Sequence, residues 1–157
     1  MPTTLDKSLR ADLVAGLKLR DVCSVKPSQS IKEVVDCMIV NRVGCALIVR
    51  DGQLVGIFTE RDFLSRVVAQ RLDMSQPVEK VMTPSPKTVR QRSSMFEAIE
   101  LMGTDGYRHV PVLADNGEPL GVLSVKDIVH YLVEYFPANV YNLPPTPITA
   151  QPAREGA

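Results

Sequence analysis

The chain has 157 residues, 45% apolar and 23% charged, which suits one compact domain or two very small ones sharing a core and excludes a disordered chain. Eighteen Lys and Arg balance eighteen Asp and Glu, so the overall positive field that drives non-specific binding to nucleic acid or an anionic membrane is missing. No run approaches the roughly 18 apolar residues of a membrane span, the first residues carry no apolar signal core, and Cys23, Cys37 and Cys45 are odd in number without Cys-x-x-Cys spacing; the expectation is a soluble, cytoplasmic protein with reduced thiols and no bound metal.

Leu13, Val14 and Leu17, with Leu5 and Leu19 nearby, predict a short N-terminal helix covering part of the fold. Ser30 and Glu33 form a capping box that opens an amphipathic helix over residues 31–38. A β-rich run at 45–49, an Asp51-Gly52 turn and a second strand at 54–58 follow, and Thr59 then opens another helix. Residues 75–86, with Pro77, Pro84 and Pro86, read as a linker. The same order then returns: a Ser94 and Glu97 capping box, a helix over 95–102, a strand at 109–113, an Asp115-Asn116-Gly117 turn, a strand at 120–123 and a helix opened by Ser124. The copies lie 64 residues apart at Ser30 and Ser94 and 65 apart at Thr59 and Ser124. A constant register over so many elements predicts two α/β half-domains, each too small for its own core, packed on each other across their sheets. The methionines fall at core spacing, and His130 has no partner that would mark a site. After Phe136 the tail holds Pro137, Pro144, Pro145, Pro147 and Pro152 and reads as extended. Val140, Tyr141 and Leu143 are its expected anchors, and residues 148–157 are expected to be mobile. The expected organisation is an N-terminal segment at 1–20, a first repeat at 21–72, a linker at 73–86, a second repeat at 87–136 and a proline-rich tail at 137–157.

Two segments carry a family likeness: Gly56-Ile57-Phe58-Thr59-Glu60-Arg61-Asp62 and Gly121-Val122-Leu123-Ser124-Val125-Lys126-Asp127, supported by Val81-Met82-Thr83-Pro84 and by residues 106–112. With this paired motif the chain resembles a tandem cystathionine-β-synthase (CBS) domain pair, the Bateman module, over about residues 20–136. The resemblance implies two βαββα repeats in a pseudo-two-fold α/β (α+β) pair. It also implies binding of adenine nucleotides (AMP, ADP, ATP) or related adenosyl compounds in the inter-repeat cleft, with no required cofactor and with magnesium on the phosphates left open.

The residues support that chemistry independently. In each repeat a glycine leads through two apolar residues to a hydroxyl at a helix N-terminus, where unpaired N–H groups and the positive dipole end favour phosphate. Asp62 and Asp127, three residues on, suit the two ribose hydroxyls. Arg61 and Lys126 are candidate phosphate partners, and Ile57 and Val122 candidate flanks of an adenine ring. Each hydroxyl and carboxylate pair also reads as a plain N-cap; their occurrence in both repeats favours ligand binding.

The resemblance implies that each pocket joins one repeat's motif to the other's opening strand. Asp127 would then work with Ser124, Val122, Lys126, Arg108 and His109 and with Ser24, Val25 and Lys26; Asp62 would work with Thr59, Arg61 and Ile57 and with Thr88 and Val89. Gly44 and Cys45 stand where the second repeat has Arg108 and His109, so the Asp62 pocket is expected to be short of cations and weaker. Leu47 replaces the proline found at Pro111, a departure that bears on strand geometry.

The reading is a stand-alone regulatory sensor that signals to a partner protein and associates as a homodimer through surplus apolar helix surface on residues 31–38, 63–68 and 95–102. The competing reading is a structural dimerisation or scaffold module with vestigial sites. Single-stranded nucleic acid is disfavoured by the absence of tryptophan and the scarcity of aromatics. Catalysis is disfavoured because no nucleophile and base arrangement or Gly-rich phosphate loop is present.

Overall fold

The structure, a computed structural model, describes Met1 and residues 3–141. Helix formation begins where the capping chemistry requires it. Ser30 and Ser94 each accept a hydrogen bond from the backbone N–H of Glu33 or Glu97, whose carboxylate accepts from the serine N–H in return. These boxes open α2 (Ile31–Asn41) and α4 (Met95–Asp105), which bury Ile31, Val34 and Met38 in one case and Met95, Ala98 and Met102 in the other.

In the first repeat, β1 (Cys23–Val25) runs parallel to β2 (Cys45–Arg50), and β2 is antiparallel to β3 (Gln53–Thr59). The hairpin turns through Asp51 and Gly52, both at positive φ (51° and 76°), as a two-residue turn matched to strand twist requires. β4 (Thr83–Pro84) completes a sheet of order β1-β2-β3-β4. In the second repeat, β5 (Val89–Arg90), β6 (His109–Leu113) and β7 (Pro119–Ser124) form a sheet of the same sense, and an isolated bridge from Arg20 to Val122 supplies the counterpart of β4. Helix α3 (Glu60–Asp62), continued by a π-helical segment (Phe63–Val68), closes the first repeat, and α5 (Val125–Tyr135) closes the second.

Each repeat has its own core, and a third cluster of Cys45, Leu47, Ile57 and Val122 joins the two. Leu47 and Pro111 occupy matching places, opposite Ile57 and Val122, so the departure at Leu47 leaves the strand intact. Linker residues Val78 and Val81 sit in the first repeat's core, and Thr83 pairs with Ile57, so most of the linker is part of that half.

Three expectations are corrected. The N-terminal helix, α1, spans Thr4–Ala11, ahead of Leu13, because Thr3 caps it by accepting from Asp6 N–H; Val14 follows in a 3₁₀ turn and is buried in the second repeat. Cys23 and Cys37 form a disulfide that ties β1 to α2, leaving Cys45 as the free cysteine among the described residues. Parallel pairing of β1 with β2 brings the strand under α2 and sets the two Cα atoms 6.2 Å apart, within bridging range although the sequence separation of 14 forms no motif. Finally, the tail does not start extended: Pro137 opens a short helix, α6 (Pro137–Tyr141), at whose first position the missing N–H costs nothing. Val140 is half-buried and Tyr141 exposed; Leu143 and residues 148–157 lie outside the described residues. No described helix is long and apolar enough to cross a membrane.

Candidate functional site

A cleft of about 900 Å³ opens between the repeats. One wall is built by the second repeat, where the start of β6 places Arg108 and His109, the end of β7 places Val122 and Ser124, and the first turn of α5 places Lys126 and Asp127. The facing wall comes from the first repeat: Val43, Gly44 and Cys45 at the start of β2, Glu60 on α3, and the inner side of α2.

Asp127 is held by a capping box. The Ser124 backbone N–H and hydroxyl both donate to Oδ2 at 2.7 Å, leaving Oδ1 aimed away from the cap, where Arg20 Nε lies at 3.4 Å. Arg20, Arg42, Arg108 and Lys126 line the cleft against only Glu60 and Asp127, so the cavity carries a local excess of positive charge inside a neutral chain. Burial holds the His109 imidazole below its ordinary pKa; Glu60 and Asp127 oppose this, whereas Arg108 and Lys126 reinforce it. Gly44 creates the space in which two of these groups meet: a Cβ there would stand 3.4 Å from His109 Nε2 and 3.6 Å from the Glu60 carboxyl carbon. Burial, aided by Glu60, pushes the Cys45 thiol up to about 12.

The structure therefore brings together six of the expected residues, Asp127, Ser124, Lys126, Val122, Arg108 and His109. Ser24, Val25 and Lys26 lie instead around a separate cavity of about 580 Å³ with Arg50 and Glu79, and Arg20 and Val22 take their expected place beside Asp127. Gly44 and Cys45, expected beside Asp62, form the wall opposite Asp127.

Asp62 lies outside the lining of this cleft. Asp62 is 7% exposed; Thr59 donates to its Oδ2 from N–H (3.0 Å) and hydroxyl (3.1 Å), while its Oδ1 accepts from the Thr83 hydroxyl at 3.3 Å and faces Arg66 Nε at 3.8 Å. Arg61 is exposed away from the cleft, Ile57 is buried between the repeats, Val89 is buried in the second core, and Thr88 lies half-buried outside the cleft lining. Sequence reasoning missed Arg20, Val22, Val43 and Glu60 as cleft residues. The only available signal for Arg20 was its place before β1, which acquires meaning once its bridge to Val122 is known.

The family model for the CBS domain matches residues 14–69 and 78–134. A protein of Acidianus ambivalens is 34% identical over 126 residues, covering 79% of this chain and 75% of its own. A CBS-domain-containing protein of Arabidopsis thaliana is 33% identical over 113 residues, which are 71% of this chain and only 21% of that protein's length. Among solved structures, a CBS-domain protein of Pyrobaculum aerophilum complexed with AMP is 34% identical with a TM-score of 0.69, covering 78% of this chain and 98% of its own. A CBS-domain-containing protein from Agrobacterium tumefaciens is 33% identical with a TM-score of 0.65, over 71% of this chain and 90% of its own. With two family matches in register with two repeats of one architecture, the chain belongs to the CBS-domain family.

Proposed function

We propose that this chain is a regulatory module that binds one adenine nucleotide in the cleft beside Asp127 and conveys its occupancy to a partner protein. One observation carries the reading: Asp127 keeps a carboxylate oxygen outside its helix cap, within a cavity whose charged lining is four cations against two carboxylates. That oxygen suits ribose hydroxyls, and Arg108, Lys126, Arg42 and the N-terminus of α5 suit the phosphate. The AMP complex of the Pyrobaculum aerophilum relative supports the same ligand class. Among the described residues no group of three His, Cys, Asp or Glu could hold a metal, so magnesium would arrive on the ligand's phosphates. The closed surroundings of Asp62 support a single principal site.

The module acts as a homodimer in this reading. Val40 on α2, Leu64 and Val68 on the π-helical segment, and Val129 on α5, outside the cleft lining, are 52–79% exposed. Burial of this surface against a second copy would remove apolar area that a monomer leaves in water.

Native mass spectrometry of the purified protein tests occupancy and stoichiometry together, and thermal shift ranks AMP, ADP, ATP and S-adenosylmethionine. A ligand at a hundred times its Kd stabilises by about 2.7 kcal/mol, an upward shift of about 5–10 °C for a chain of this size. Dimer formation with no shift for any of the four would favour the scaffold reading instead.

A further inference from the structure

Arg20 lies in neither of the repeated motifs, yet it makes the cleft's contact with Asp127 Oδ1. The fold's internal symmetry explains how it gets there. Met82 and Thr83 pass so close to Gly56 that no Cβ fits at that position, and Leu19 and Arg20 pass Gly121 in the same way, with Leu19 Cβ and Arg20 O at 3.1 and 3.2 Å from where a Cβ would stand. Thr83 bridges Ile57 as Arg20 bridges Val122. Arg20 thus occupies in the second half the place of Thr83 in the first, and each reaches the outward oxygen of its half's aspartate.

The two occupants differ in what happens when a ligand arrives. Thr83 is a short neutral donor, and together with Arg66 it closes Asp62. Arg20 is 55% exposed and reaches the largely buried Asp127 through Nε at 3.4 Å, whereas Arg66 is anchored as well by donating to the Val81 and Met82 carbonyls. A ribose that takes Oδ1 competes with Arg20 for that oxygen. The displaced guanidinium is then left among Arg42, Arg108 and Lys126, with Glu60 the remaining carboxylate of the cleft lining, unless the ligand brings a further anion. A phosphate does so, and it accepts an arginine fork in two parallel bonds.

We propose that Arg20 determines specificity in this cleft, selecting ribonucleoside phosphates over free ribonucleosides by yielding Asp127 Oδ1 to the ribose and pairing with the phosphate. The inference rests on the reading of the cleft as a nucleotide site. Arg20 is a counter-ion that exchanges partners, so its removal has opposite effects on the two ligand types.

Calorimetry of the full chain with AMP and with adenosine tests it. Arg20→Ala should weaken AMP about tenfold or more, since a charge-assisted bond contributes roughly 1.5–3 kcal/mol, while adenosine tightens because Oδ1 stands free. Arg20→Thr, which copies position 83, should lose AMP affinity in the same way. An AMP to adenosine affinity ratio unchanged from wild type in both variants would overturn the role of Arg20 and leave the nucleotide reading intact. Failure of the wild-type protein to bind either compound would overturn both. Because the readout is a ratio, a general loss of folded protein cancels from it.

Discussion

The two repeats share sheet order, capping boxes and hairpin turns, and differ in what surrounds their signature aspartates. In the first repeat the carboxylate is a structural hub, with Thr59 on one oxygen and Thr83 and Arg66 at the other. In the second, the same cap leaves one oxygen to an exposed arginine at the edge of a cavity. Their outer faces differ as well: α1 packs on α4, with Arg10 stacked 3.7 Å over the Phe96 ring, whereas α2 leaves Val40 bare. The two halves thus share a scaffold and differ in their surroundings: the first contributes one cleft wall and an uncovered helix face, the second the cleft wall that holds Asp127.

The sharpest way to break this comparison is to delete each aspartate. Asp127→Ala should reduce AMP affinity by about a hundredfold or more, because two ribose hydroxyls lose a charged acceptor worth roughly 1.5–3 kcal/mol each. Asp62→Ala should leave AMP affinity within about twofold but lower stability by roughly 1–3 kcal/mol, through loss of a cap and of buried partners. Calorimetry and denaturant unfolding on the same two variants separate the roles, and equal loss of AMP affinity in both would refute the division.

The disulfide braces the first half alone, since positions 87 and 101, which match 23 and 37 at the 64-residue offset, are Lys87 and Leu101. Closing a loop of this size stabilises by about 3 kcal/mol in the chain-entropy account. Reduction with dithiothreitol, or the double substitution Cys23→Ala and Cys37→Ala, should lower the unfolding midpoint by about 6–12 °C. An unchanged midpoint would mean that the brace contributes nothing.

What the sequence made legible was local. A serine three residues before a glutamate announces a helix start whatever lies around it, and Asp-Gly between β-rich runs announces a tight hairpin, so the repeat order and both helix caps at Ser30 and Ser94 could be read directly. The motif residues around Asp127 were legible for the same reason, lying within one strand, cap and first turn. Arg20 was not, because its position depends on an isolated bridge between segments 102 residues apart. The Cys23 to Cys37 bridge likewise depends on which strand packs beneath which helix. In the tail, proline content suggested extension, but a proline at the first position of a helix is compatible with both outcomes, and α6 begins at Pro137.

A smaller perturbation probes the first repeat's share in the cleft. Gly44→Val places branched carbons where His109 and the Glu60 carboxyl converge, without positive-φ strain at that residue. The expected result is a loss of AMP affinity of about tenfold, the equivalent of 1.4 kcal/mol, while Asp127 and its cap are untouched. Full AMP affinity in this variant would show that the second repeat forms the site unaided.

The finest test uses His109, whose pKa is lowered chiefly by burial. In the folded protein the imidazole binds its proton less readily than in the unfolded chain, so stability is complete above the unfolded value near 6.5 and falls as the pH drops through it toward the lower folded value. A bound phosphate reverses the balance: its negative charge favours the imidazolium, so AMP binding takes up a proton and tightens as the pH falls. The gain is bounded at about tenfold per pH unit for one linked proton, and it is confined to the range above about pH 6, where the phosphate keeps its second charge. His109→Gln should remove both effects, flattening the dependence of AMP affinity between pH 7.5 and 6.5 and sparing the protein the acid loss of stability. Glu60, Asp127, Arg108 and Lys126 stay in place in that variant, so a pH dependence of AMP binding that survived it would have to be assigned to the nucleotide's own phosphate and not to the imidazole.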